Sequence, residues 1–284
     1  DAQRLMSQVS MIFGIAPAIA PIIGGWMLGA GRWPWIFWFL AAFSVLLLAS
    51  TSLWLPETHP RESRMPLRPD RLLRDYVAIA LNPRFQRLAG PGGFRFAGVF
   101  LYIAPAPAFV MDLLGLGEQE FAWLFLPTLS GMTLGAFLSG RVAGRWRPTY
   151  QVGVGFACMG AAALGNLAYS ALAPQLTVPW AVLPMFVLAF GVGLAFPILT
   201  LAILDMDPRQ RGAASSLQAF TQLVLNALVA GVLSPLLSQH GLYLALGMAG
   251  FVLLGWLFWR WEASVSRRFP PPPSPPTLEP GEQL

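Results

Sequence analysis

Residues able to do chemistry are few in this chain, and their types exclude most reactions. There are two histidines, His59 and His240, and one cysteine, Cys158; lysine is absent, so all eighteen basic residues are arginine. A phosphate-cradling Walker A loop needs a lysine, and so does a Schiff-base enzyme. One cysteine forms no intrachain disulfide, and with two distant histidines it makes no Cys/His zinc site. Cys158 lies in an apolar run and reads as a small buried hydrophobe. Neither GxSxG nor HExxH occurs. An enzyme, a metal site and a bound cofactor are therefore not expected.

What remains is a set of polar groups in apolar surroundings. Gln218, Gln222 and Asn226 recur at i, i+4 and i+8 and so share one helix face. Such a stripe deep in lipid either glues helices together or lines a wet cavity. Tyr102 stands in YIAPAPAF, where Pro105 and Pro107 predict a distorted helix with freed carbonyls. Broken helices in transporters cluster along the substrate path. Tyr102, Gln218, Gln222 and Asn226 are thus the substrate-cavity candidates. No acidic residue lies in the middle of an apolar segment; Asp112, Asp205 and Asp207 lie near segment ends. An intramembrane carboxylate for loading a proton is not evident in this stretch.

The elements positioning these residues are membrane helices. Of 284 residues, 56% are hydrophobic and 11% charged, with mean hydropathy +0.59; soluble domains carry about 25% charged residues. Eight apolar segments span roughly 8–30, 33–55, 94–112, 119–139, 150–173, 179–204, 212–238 and 241–261. Each is long enough for a core of about 30 Å as a helix, and open strands leave their backbone unsatisfied in lipid. The fold class is all-α and polytopic.

The arginines sort by side. Arg4, the group from Arg61 to Arg95, the trio Arg141, Arg145 and Arg147, the pair Arg209 and Arg211, and Arg260, Arg267 and Arg268 all fall on one side, and only Arg32 on the other. The positive-inside rule makes the first side cytoplasmic and, with an even helix count, places both ends of the chain there. The net charge of +5 then follows topology, and no nucleic-acid partner is implied. One connection is long. Within it, residues 72–81 carry apolar residues at helical spacing, which fits either a short helix on the membrane surface or a plain solvated linker. From residue 263 the chain forms a cytoplasmic tail. Pro270 to Pro273, Pro275 and Pro276 predict an extended, disordered segment there.

The first segment reads GIAPAIAPIIGGWMLG, with Gly14, Pro17, Pro21, Gly24 and Gly25. Glycines let helix backbones approach and prolines bend them, so this helix packs tightly, seals, or does both. The run Ala20-Pro21-Ile22-Ile23-Gly24-Gly25 resembles the antiporter motif of the fifth helix of the major facilitator superfamily, which ends in Gly-Pro-x-x-Gly-Gly; alanine replaces the first glycine. Together with LPET at Leu55–Thr58, YIAPAPAFV and RGAASSLQAF, it is similar to the bicyclomycin and chloramphenicol resistance (Bcr/CflA) branch of drug:proton antiporters, over residues 1 to about 262. After the fourth segment, Gly140, Arg141, Gly144 and Arg145 resemble that family's cytoplasmic gating loop, but Arg141 stands where an acid is expected.

The resemblance implies a major facilitator fold lacking its first four helices, with about eight transmembrane helices. Residues 1–55 would be the last two helices of the N-terminal half, 56–93 the cytoplasmic linker, 94–262 the complete C-terminal half and 263–284 the tail. It implies a bacterial inner-membrane exporter of small hydrophobic or amphipathic drugs, with the proton as coupling ion. Its partners would be the lipid bilayer and the missing N-terminal helices of the same protein, which the start at Asp1 rather than Met also leads us to expect. A sugar or metabolite carrier on the same fold, or a fragment inactive alone, stand as alternatives.

Overall fold

The computed structural model describes residues 2–12, 33–56, 69–206 and 210–268, with Ile23 and Met27, and among them there is no strand. Residues 2–12 form α1. Then come α2 (Pro34–Trp54), α3 (Pro69–Leu81), α4 (Pro83–Ile103), α5 (Ala122–Arg141), α6 (Pro148–Leu172), α7 (Leu183–Leu204), α8 (Arg211–Leu228), α9 (Ser234–Leu237) and α10 (Gly241–Arg268). Proline sits in the first turn of α2, α4, α6, α7 and α9, where the missing N–H is no loss. Asn82 caps α4, its side-chain oxygen accepting from the N–H of Arg84 at 2.9 Å.

Six helices among the described residues are long and apolar enough to cross a membrane: Pro34–Trp54, Ala122–Arg141, Pro148–Leu172, Leu183–Leu204, Arg211–Leu237 and Gly241–Arg268. They match the second and the fourth to eighth segments read from the sequence. Most of the first segment, including Gly14, Pro17, Pro21, Gly24 and Gly25, lies outside the described residues, as do residues 57–68 and the tail from 269. Residues 72–81 are helical, within α3, and Ile79 packs on the cluster of Phe85, Leu88, Ala89, Ile203 and Ala214.

The third span differs from expectation. The helix that covers it, α4, begins at Pro83 rather than at residue 94, takes in Gly90-Pro91-Gly92-Gly93, and is not among the six above. Those residues look like a break in sequence, but in the bundle they are contact positions. A Cβ on Gly90 would lie 2.7 Å from the Phe258 ring of α10, and one on Gly93 3.3 Å from Leu225 of α8. Close neighbours make a mid-helix Gly-Pro-Gly-Gly tolerable in lipid. Arg95, expected among the cytoplasmic arginines at a segment end, instead sits twelve residues into α4, about 18 Å along its axis.

The helices from α4 to α10 pack into one bundle, in which α5 lies against α7, α4 against α10, and α6 against both α7 and α10. Leu101, Met159, Leu188, Leu244 and Met248 are wholly buried at its centre. By contrast, none of the 21 residues of α2 is buried. The chain bends after α4 at Ala104–Pro105 and resumes as a π-helical turn, Ala108–Leu113; a second π-helical turn, Val229–Leu233, follows α8.

Candidate functional site

Three polar clusters cross the interior of the bundle. The first joins α4, α7 and α8. Arg95 is 1% exposed. Its Nε donates to the carbonyl of Gly92 at 3.3 Å and an Nη to the carbonyl of Val192 on α7 at 3.0 Å. Its guanidinium lies over the Phe196 ring, 5.0 Å from the centroid. The ion pairs among the described residues join Arg84 and Arg87 to Glu262 and Arg211 to Asp205, and none includes Arg95. Beside Gly92, Gln218 of α8 donates to Thr200 of α7 at 3.3 Å. One buried cation is thus solvated by carbonyls and an aromatic face, and no carboxylate among the described residues neutralises it.

The second cluster joins α4, α6 and α10. Tyr102 is buried, its hydroxyl accepting from Asn166 of α6 at 2.6 Å, and the Asn166 amide also reaches Met248 Sδ at 3.9 Å. The Tyr102 ring meets Phe109 edge-on at 5.1 Å. Tyr102 therefore faces the packed centre of the bundle, towards α6 and α10.

Along that stripe, Gln218 and Asn226 are buried and Gln222 is half-buried. Asn226 Oδ1 is buried without a hydrogen-bond partner among the described residues. The cavities of about 490 and 880 Å³ at the arginine-bearing end of the bundle are lined by other residues.

The third cluster stands at the arginine-bearing end, beside the loop after α5. Gln151 of α6 is wholly buried. Its amide donates to Ser139 Oγ at 2.7 Å and to the carbonyl of Leu194 at 2.9 Å. Gln3 of α1 closes the set, donating to Gln151 Oε1 at 3.0 Å and to the Ser139 carbonyl at 3.1 Å. Gly140 abuts Ser7 of α1, and Gly144 takes φ +76°, a turn suited to glycine. Arg141 and Arg145 face α1 across a cavity of about 490 Å³ that Arg4 also lines. Gln151→Ala strands Gln3, Ser139 and a carbonyl. It is expected to cost about 1–2 kcal/mol and to lower the unfolding temperature in detergent, with Gln3→Ala costing less because its partners keep each other.

Polytopic helices, an amphipathic helix before a six-helix bundle, and polar contacts from α1 into that bundle all fit one architecture. A family profile described as Major Facilitator Superfamily matches residues 1–230. The chain belongs to the major facilitator superfamily. Relatives include a bicyclomycin resistance protein homolog of Haemophilus influenzae, 27% identical over 49% of this chain and 35% of the relative. The multidrug resistance protein MdtM of Salmonella typhimurium is 27% identical over 76% of this chain and 52% of its own length. The multidrug transporter MdfA of Edwardsiella piscicida is 27% identical over 79% and 53%. The chain therefore spans about half the length of the two multidrug relatives, and less of the first. As a superfamily member it is a multi-pass membrane protein of a transporter family, not an enzyme.

Of the residues singled out in sequence, the structure brings Gln218 to the Arg95 cluster and Arg141 and Arg145 to α1, while Tyr102 belongs to a separate network. Arg95, Gln151 and Asn166 were not anticipated. For Arg95 a signal existed: it is the only charged residue between Arg87 and Asp112, a window longer than a membrane span needs.

Proposed function

We propose that the complete protein exports small hydrophobic or amphipathic drugs across the bacterial inner membrane in exchange for protons. Both described ends of this chain would lie in the cytoplasm, as the arginine asymmetry suggests. The observation that carries the reading is the match, over three quarters or more of this chain, to MdtM and MdfA proteins, whose names describe multidrug resistance or transport. The bundle from α4 to α10 would form one wall of the drug path. Arg95 would set a fixed positive charge in that wall, and a carboxylate carried by another part of the complete protein would load the proton. Pro21, Gly24 and Gly25 would bend and seal between the halves, with the loop at Gly140, Arg141, Gly144 and Arg145 latching on α1.

Export is proposed for the complete protein. Helix α2 is strongly apolar yet buries nothing against the described residues, which favours a fragment reading for these 284 residues alone. The test is drug uptake into proteoliposomes acidified inside, using ethidium and chloramphenicol. The complete protein is expected to accumulate at least one of them until a protonophore collapses the gradient. Uptake of neither, or uptake indifferent to the gradient, would sink the proposal, whereas uptake by the 284-residue chain alone would remove only the fragment reading.

A further inference from the structure

The arginine-bearing end holds a second cavity, of about 880 Å³, bounded by α4, the loop after α5, the start of α6, α7 and α10. Its make-up is graded. Four arginines reach it, Arg84, Arg145, Arg147 and Arg267, with Glu262 the one acid. That acid is already engaged: Arg87 Nε donates to it at 2.6 Å, Ser266 Oγ at 2.8 Å, and Arg84 lies at 3.8 Å. Arg145, Arg147 and Arg267 make no ion pair with the described residues. The mouth is exposed and the floor is apolar, Tyr150 being 58% exposed and Leu88 and Val152 only 6% and 2%. The first turn of α6 also opens here at Pro148–Tyr150; its leading N–H groups have no carbonyl within the helix and favour an anion.

Depth in the bilayer is marked independently. Trp146, Tyr150 and Trp259 line the cavity, and such rings gather at the headgroup level of a membrane. Helix α10 runs 28 residues, about 42 Å at 1.5 Å per residue, so its last turns outreach a core of about 30 Å. The cavity thus faces lipid headgroups, with cations at its rim and aliphatic side chains beneath.

We infer that this cavity is a binding site for an anionic phospholipid, its phosphate held by Arg147, Arg267 and Arg145 and its glycerol and upper acyl carbons lying on Leu88, Val152 and Leu199. A free phosphate would use the rim and leave the apolar floor unmatched, whereas a lipid uses both. The inference needs only the chain's place in a bilayer and not the identity of any cargo.

The experiment is native mass spectrometry of the delipidated complete protein, titrated with phosphatidylglycerol and with phosphatidylcholine of the same chains. One phosphatidylglycerol is expected to bind at least about tenfold more tightly than phosphatidylcholine. Each arginine near the membrane surface is worth about fivefold toward an anionic lipid, so Arg147→Gln with Arg267→Gln loses about twenty-five-fold. Arg260→Gln with Arg268→Gln removes the same charge away from the cavity and should leave binding unchanged. Equal losses in the two pairs would mean diffuse attraction and overturn the site. Equal binding of the two lipids would do so without any variant. Full displacement by millimolar glycerol phosphate would assign the cavity to a soluble phosphate and overturn the lipid.

Discussion

Replacing Arg95 by methionine in the complete protein is expected to abolish export, lowering drug efflux by at least about tenfold, while accumulation and unfolding temperature stay close to the parent. The expectation follows from how the charge is held. Two carbonyls and the Phe196 face solvate the guanidinium, each contributing about 1–3 kcal/mol. Among the described residues they leave one net positive charge inside the bundle. No described carboxylate pairs with it. A lone buried charge is costly in a membrane interior and marks a functional position. The proposed export gives it a task, attracting an anionic group on the opposing wall or on the cargo in one state of the cycle.

Methionine matches much of the arginine stem and is apolar, and replacing buried charges by packed apolar residues is often neutral or stabilising. The variant therefore separates charge from packing. Arg95→Lys keeps the charge but loses the planar stack on Phe196 and is expected to retain part of the export. Export by the methionine variant at the parent rate would show that Arg95 only braces α4 against α7. Loss of accumulation in both variants would show the same.

The membrane helices were legible because the signal is coarse: a run of about 20 apolar residues survives errors of several residues at each end. Helix α3 was half legible, since its period fitted a helix but only its contact through Ile79 distinguishes it from a solvated strip. Starting the third segment at residue 94 leaves Arg95 at its end, whereas contacts of Gly90 with Phe258 and of Gly93 with Leu225 go with a helix that begins eleven residues earlier. The Asn-Pro pair at Asn82–Pro83 is a helix-start signature, and weighed against the glycines it would have put Arg95 mid-helix. Gln151 and Asn166 had no such signal. Each is a single amide in a small-residue helix, and the partner of Gln151 on α1 is 148 positions away. The stripe of Gln218, Gln222 and Asn226 was legible as a face, but whether a helical face meets protein, cavity or lipid depends on neighbours that periodicity does not name.

Gly135→Ala is expected to cost the protein its folded bundle, at about 3 kcal/mol or more, and Gly135→Val still more. Helices α5 and α7 touch backbone to backbone. A Cβ on Gly131 would run into the Phe186 carbonyl and one on Gly135 into the Phe190 carbonyl, while from the other side one on Gly193 would meet the Met132 carbonyl. The obstacle is main chain in every case, so no side chain can turn aside and the helices must separate. In lipid, where tails are as apolar as leucine, close packing of this kind is what holds helices together. Separation would also disturb Val192, whose carbonyl accepts from Arg95. Gly160 and Gly165 on α6 provide the control, since a Cβ at either meets nothing within 4 Å. Alanine there should be harmless or stabilising by about 0.5–1 kcal/mol, through helix propensity. Accumulation in the membrane and thermal unfolding in detergent would give the comparison. Gly135→Ala unfolding as late as Gly160→Ala would mean that α5 and α7 do not approach as closely as their glycines allow.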